Sequence, residues 1–166
     1  MNKDCVYYKL SNKVSRKQFY EIVEIELNSG FIPYTESMIA ECILYMDNFV
    51  CSYNDEIIGF ITVEPFDELY AESNYIVNIS VYPDYRGNNI AKKLIRFACN
   101  YYLENKLIKN KQITLDVELN NKALKLYELI GFERLNVPSR NGKDNIVMGQ
   151  DAKVIVNKID EILENK

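Results

Sequence analysis

A chain of 166 residues with 48% hydrophobic and 27% charged residues suits one globular domain that buries about two thirds of the surface its unfolded form exposes. Its formal net charge of −4 offers no electrostatic basis for binding nucleic acid and is compatible with cationic substrates such as amines. It has no histidine, which excludes Ser-His-Asp and Cys-His units and an HExxH zinc site, so a general base must be a carboxylate, lysine, tyrosine, terminal amine or bound water.

From the N-terminus, "CVYYKL" (5–10) reads as a short strand. Ser15 and Gln18 form a capping box for a helix to about Asn28, closed by Gly30, with Phe19, Ile22, Val23 and Leu27 as its apolar face. "FIPY" breaks it, and Thr35 caps a second helix over 36–46. "NFVCSY" and "EIIGFITVEPF" are strands joined at Asn54-Asp55 as a two-residue hairpin. "NYIVNISVY" (74–82) is apolar enough to be central in a sheet and ends at Pro83. A helix from about Gly87 to Leu103 carries Ile90, Leu94, Ala98 and Tyr101 or Tyr102 on one face. "KQITLDVEL" is a strand with Thr114, Asp116 and Glu118 on one face, and "NNKALKLYELIGF" is a helix closed by Gly131 with Leu126, Leu129 and Ile130 as its apolar face. A final hairpin follows, then an amphipathic helix over 152–164 with Val154, Ile155, Ile159 and Ile162. Strand-helix-strand units beside hairpins predict an α/β (α+β) fold with a mixed sheet and helices on both faces. The division expected is a domain over 1–151 and a terminal helix over 152–166 lying on that same domain.

Cys5, Cys42, Cys51 and Cys99 are too widely spaced for a CxxC metal pair. They read as free thiols in a reducing compartment, with no metal expected. No signal-like start and no apolar run near the roughly 20 residues of a membrane span appear. The expectation is a cytoplasmic protein away from membranes.

Residues 79–91 carry the strongest chemical signal. A strand ends, Pro83 turns the chain, and a helix begins near Gly87. Unpaired amides and the macrodipole make a helix start receptive to anions. Arg86, Lys92 and Lys93 add positive charge, and Gly87 permits close approach to the backbone. Neither GxxxxGK[ST] nor GxGxxG is present, so a P-loop or Rossmann site is not expected.

"ISVYPDYRGNNIAKKLI" followed by "LDVELNNKALKLYELIGF" resembles the GNAT superfamily of acetyl-coenzyme A-dependent N-acetyltransferases. In the family's R/Q-x-x-G-x-G/A loop, Arg86 takes the first place, Asn89 stands where glycine is usual, and Ala91 takes the last. The second signature, an asparagine followed by A-x-x-L-Y-x-x-x-G-F, matches Ala123, Leu126, Tyr127, Gly131 and Phe132. The stretch from Val117 to Ala123 is one residue shorter than usual, so Asn120 and Asn121 both remain candidates for the ligand-facing asparagine.

The resemblance implies transfer of an acetyl group from acetyl-CoA to a primary amine, a small molecule or a peptide or protein N-terminus, by a monomer or homodimer. It implies a sheet that splays between the 76–82 and 112–119 strands. It implies that main-chain groups of Ile79, Ser80 and Val81 hold the pantetheine, that an amide at Ile79 meets the oxyanion, and that Arg86, Gly87, Asn88, Asn89, Ile90 and Ala91 cradle the pyrophosphate. Tyr127 fills the place of the general acid, and a phenol of pKa about 10 is protonated at neutral pH. An alkylammonium of pKa about 10.4 must lose a proton before it attacks, and the candidate bases are Asp116, Glu64, Glu118, Glu72 or a water chain. Residues 28–40, 64–74 and 136–145 would surround the acceptor, with Glu36, Glu64, Asp67, Glu68 and Glu72 making that region acidic. The alternative is a non-catalytic acyl-CoA-binding or regulatory domain of the same fold.

Overall fold

Local signals set most of the element boundaries. The computed structural model describes residues 5–30 and 33–165. The break expected at "FIPY" falls partly on Phe31 and Ile32, outside the described residues. The elements are β1 (Val6–Lys9), α1 (Arg16–Leu27), α2 (Glu36–Tyr45), β2 (Asp47–Tyr53), β3 (Glu56–Asp67), β4 (Ser73–Val81), α3 (Ile90–Glu104), β5 (Gln112–Glu118), α4 (Leu124–Leu129), β6 (Glu133–Arg134), β7 (Asn145–Asp151) and α5 (Ala152–Glu164). Single 3-10 turns lie at Glu68–Tyr70 and Pro83–Tyr85. The strands form a seven-stranded mixed sheet in the order β1-β2-β3-β4-β5-β7-β6, flanked by helices. By contacts the chain divides into two compact units, Met1–Glu64 with Val77–Ala98, and Pro65–Ile76 with Cys99–Lys166.

In the first unit, Ser15 Oγ accepts from the Gln18 amide at 3.1 Å and Gln18 Oε1 accepts from the Ser15 amide at 3.0 Å. This closes the expected capping box, a device worth about 1 kcal/mol. The buried face of α1 is Ile22, Val23, Ile25 and Glu26, whereas Leu27 is 65% exposed. The stripe expected from the sequence is therefore corrected: a carboxylate takes the inward place one turn after Ile22, and Leu27 faces solvent. Thr35 Oγ1 caps α2 by accepting from the Met38 amide. Its far end is held by buried Asn48, whose Nδ2 donates to the carbonyls of Cys42 and Met46 while its Oδ1 accepts from Thr62 Oγ1 at 2.7 Å. Asn54 and Asp55 have φ of 49° and 60°, the two positive values of a type I′ hairpin turn. Gly59 permits a close approach. A Cβ there would meet Ile90 Cγ2 at 3.2 Å and the Ser80 carbonyl and Val81 Cγ2 at 3.3 Å, so glycine lets the first turn of α3 lie against β3 and β4.

In the second unit, β4 pairs with β5 in parallel over Asn74–Ile76 and Ile113–Leu115, the arrangement that a crossover helix between strands permits. β5 pairs antiparallel with β7 along its whole length, and β6 adds two residues opposite Gly149 and Met148. Asp151 Oδ1 caps α5 through the Lys153 amide at 2.8 Å, and Ala152, Ile155, Val156 and Ile159 are buried while Val154 is 39% exposed. The helix expected over 120–132 is shorter, and its inward residues are Tyr127 and Ile130, with Leu129 turned to solvent.

Candidate active site

The first unit holds the loop ahead of α3. Gly87 has φ of 80° and Asn89 φ of 60°. Both lie in the left-handed region that glycine and asparagine tolerate best, and so α3 begins at Ile90 rather than near Gly87. Among the described residues, no protein group accepts a hydrogen bond from the amides of Gly87, Asn88, Asn89, Ile90 or Ala91. A Cβ on Gly87 would meet nothing within 4 Å, so this side of the loop is open to a ligand. Lys92 Nζ donates to Asn89 Oδ1 at 3.0 Å, and Asn88 Nδ2 donates to the carbonyls of Tyr85 and Arg86. The side chains of both asparagines thus fix the loop while the amides remain available. Successive unbonded amides at a helix start suit the phosphate groups of a coenzyme A-like ligand.

Arg86 differs from expectation. Its amide donates to the Pro83 carbonyl at 3.1 Å. Its guanidinium donates to the carbonyls of Val81 at 2.9 Å, Asn28 at 3.0 Å and Ser29 at 3.1 Å. The cation therefore closes the C-terminal end of α1, where unpaired carbonyls and the macrodipole favour positive charge. In this structure its donors serve the fold. Ser80 is buried, and its hydroxyl donates weakly to Glu26 Oε2 at 3.4 Å. Ile79 and Val81 alternate with it along β4 and are half-buried. Glu64 is half-buried within β3. Glu26 is the carboxylate that sequence reasoning missed. It is 3% exposed, and it accepts from Asn78 Nδ2 at 2.9 Å and from the Tyr34 amide at 3.3 Å. The signal was a glutamate four residues after Ile22, on the apolar stripe of an amphipathic helix.

The second unit holds Tyr127 and Asp116. Tyr127 is buried and lies edge-on to Phe132 with centroids 5.8 Å apart. Burial pushes its phenol up to about 12, so it stays protonated across the physiological range. Asp116 is surrounded by donors. Tyr70 OH donates to both oxygens at 3.1 Å, Ser139 Oγ to Oδ2 at 2.9 Å and Asn141 Nδ2 to Oδ2 at 3.1 Å. The Arg140 amide donates to Tyr70 OH at 2.9 Å, and the Arg140 guanidinium lies 3.9 Å from the centroid of Tyr75 and pairs with Asp67. Asp116 is thus the anchor of the 139–141 loop, and Asp67 is buried in an ion pair rather than adding to an open acidic surface. Glu72 and Glu118 are exposed. Asn121 Oδ1 accepts from the Ala123 amide at 2.8 Å, an Asx turn ahead of α4, whereas Asn120 is exposed beside an open depression lined by Glu118, Leu119 and Asp144. Among the described residues, no group of three or more potential ligand side chains could hold a metal.

Comparison with known proteins agrees with these features. A search of curated proteins finds no match. The fold is similar to that of the ribosomal-protein-S18-alanine N-acetyltransferase of Escherichia coli, with 21% identity, a TM-score of 0.68, and 89% of this chain and 94% of that one covered. It is also similar to Ard1 of Thermoplasma volcanium, with 15% identity, a TM-score of 0.71, and 90% and 98% covered. Arabidopsis thaliana NAA60, solved in complex with acetyl-CoA, shares 18% identity at a TM-score of 0.66 over 89% of this chain and 98% of that one. The sequence pattern of the Acetyltransferase (GNAT) family matches residues 17–132. The general chemistry of that family is acetyl-CoA-dependent acyl transfer, and this chain belongs to it.

Proposed function

We propose that this chain is an N-acetyltransferase that carries an acetyl group from acetyl-CoA to a primary amine. The observation that supports it best is the run of amides from Gly87 to Ala91 without an acceptor among the described residues, beside the open face of Gly87. These amides would hold the pyrophosphate, and main-chain groups of Ile79 and Val81 on β4 would hold the pantetheine arm. When bound, acetyl-CoA supplies an activated thioester. The amide of Ile79 would donate to the carbonyl oxygen as negative charge develops there, an effect that removal of single donors elsewhere values at roughly 10²–10³ in rate. Tyr127 would hold the proton needed by the departing sulfur, and its burial keeps that proton in place at neutral pH. The acceptor is an amine of a small molecule or of a peptide or protein N-terminus.

The deciding measurement is thiol release from acetyl-CoA against spermidine, kanamycin, free amino acids and a peptide with a free alanine N-terminus, together with the thermal shift that CoA produces. Release with one or more acceptors supports the reading, and Tyr127→Phe should then lower kcat about 10²-fold. A CoA-induced shift without release would leave a non-catalytic acyl-CoA-binding domain. The absence of both shift and release would sink the assignment.

A further inference from the structure

The acetyl-transfer reading puts the acceptor against residues 64–74 and 136–145. Within the second unit, residues 67–75 and 139–141 close on one another around the Arg140 guanidinium. It lies 3.9 Å from the ring centroid of Tyr75 and 5.2 Å from that of Tyr70, both inside the roughly 6 Å over which a ring face attracts a cation. The two rings are adjacent, with centroids 5.6 Å apart. The guanidinium also pairs with Asp67 Oδ2, while Asp67 Oδ1 accepts from the Leu69 amide at 2.9 Å. Tyr70, Tyr75 and Asp67 are all buried. Two aromatic faces and a buried carboxylate are the makings of an alkylammonium cage, and the chain fills this one with its own side chain. Bonds on either side hold the residue there. Its amide donates to Tyr70 OH at 2.9 Å, and Asn141 Nδ2 donates to Tyr75 OH at 3.3 Å and to Asp116 Oδ2 at 3.1 Å. Removing the guanidinium would strand Asp67 as a buried charge without its cation, so Arg140 does not give way to an incoming ammonium. Its side chain is nevertheless 28% exposed, so an acceptor arriving over this loop meets a positive charge already seated on the rings.

We propose that Arg140 is a specificity-determining residue. It admits the α-amine of a peptide whose next side chain is uncharged, and it turns away acceptors that carry a second cation, polyamines among them. The inference rests on the acetyl-transfer reading and adds the acceptor class to it. Glu68 and Glu72 are exposed, and their pull on a distant cation is screened by salt over about 8–10 Å. Arg140 acts at contact, where screening is weak. An acceptor whose single amine has lost its proton brings no charge to the loop, and so meets no repulsion there. A spermidine or a peptide with lysine next to its reacting amine brings one, and the place that would accommodate it is taken.

The test measures kcat/KM with acetyl-CoA for three acceptors: an amidated peptide beginning Ala-Ala, one beginning Ala-Lys, and spermidine. Wild type should favour Ala-Ala over both others. Arg140→Gln leaves Asp67 and the two rings open to an ammonium, and should raise the Ala-Lys to Ala-Ala ratio about tenfold. The spermidine to Ala-Ala ratio should rise with it, while KM for acetyl-CoA and the CoA-induced thermal shift stay as in wild type. Arg140→Lys keeps a cation on the rings and should keep the wild-type order of acceptors. Should Arg140→Gln fail to fold, Arg140→Gln combined with Asp67→Asn removes the stranded charge. That double variant opens the ring faces alone, and its ratio should still rise about threefold. A wild type that prefers spermidine or Ala-Lys overturns the proposal. So does a fall in all three rates together with the ratios unchanged, in Arg140→Gln or in the double variant, because that pattern belongs to a structural role. A wild type that shifts with CoA but acetylates none of the three fails the acetyl-transfer reading itself, and this inference with it.

Discussion

Asn89 holds a φ of 60° in the loop where the family usually has glycine, and its backbone geometry was legible because asparagine is the non-glycine residue best suited to that region. Asn89→Gly should keep or tighten CoA binding. Asn89→Val forces a β-branched residue into left-handed backbone at a cost of about 1–2 kcal/mol, which calorimetry should read as roughly tenfold weaker affinity. Equal affinity for the two variants would show that the loop does not contact the ligand. Tyr127 carries a separate prediction. Its pKa of about 12 in the fold lies above the ordinary value of 10.0, so the native state holds this proton more tightly than the unfolded chain. The associated stability is fully present below pH 10 and is lost as pH rises from about 10 to 12. Thermal melts over that window should fall less steeply for Tyr127→Phe than for wild type. At this same scale the sequence misled where a residue's targets are distant. Two of the three carbonyls that the Arg86 guanidinium holds belong to residues 58 and 57 positions away, so its part in closing the end of α1 could not be read from its place beside the anion loop. Local bonds, such as those of Ser15 with Gln18, were readable because donor and acceptor lie within one turn.

Among the elements, α1 and β4 meet the loop ahead of α3 through Arg86. Arg86→Met removes charge-assisted bonds to Val81, Asn28 and Ser29, and should cost about 1–2 kcal/mol of stability. CoA affinity should change little, because the guanidinium and the amide of Arg86 are engaged with main-chain carbonyls. A loss of affinity with an unchanged melting temperature would reverse that assignment. The order of strands and helices was legible throughout, since capping residues, Asn54-Asp55 and Pro83 punctuate the chain locally. The inward faces of short helices were not. In α4 Leu129 is 56% exposed while Tyr127 is buried. Over six residues periodicity offers too few repeats to fix a face, and tertiary contacts decide it.

For the molecule as a whole, the four cysteines are free thiols, with Cys42, Cys51 and Cys99 buried and Cys5 half-buried. Burial pushes Cys51 up to about 12 and raises Cys99 as well, which leaves little thiolate to react. Titration with a thiol reagent should find one rapidly reacting cysteine in the native protein and four in denaturant; two or more fast thiols in the native state would contradict this burial. Among the described residues no helix is long and apolar enough to cross a membrane. The amides from Gly87 to Ala91, which have no acceptor among the described residues, also bear on how the protein is handled. On the proposed reading they bind inorganic phosphate as well as coenzyme A, and by mass action any ligand selective for the native state raises stability. Phosphate at ten times its dissociation constant would add about 1.4 kcal/mol and, by competing for the same amides, weaken the apparent affinity for CoA about elevenfold. Binding constants determined in phosphate and in a buffer without oxyanions should therefore disagree, with the phosphate value the weaker.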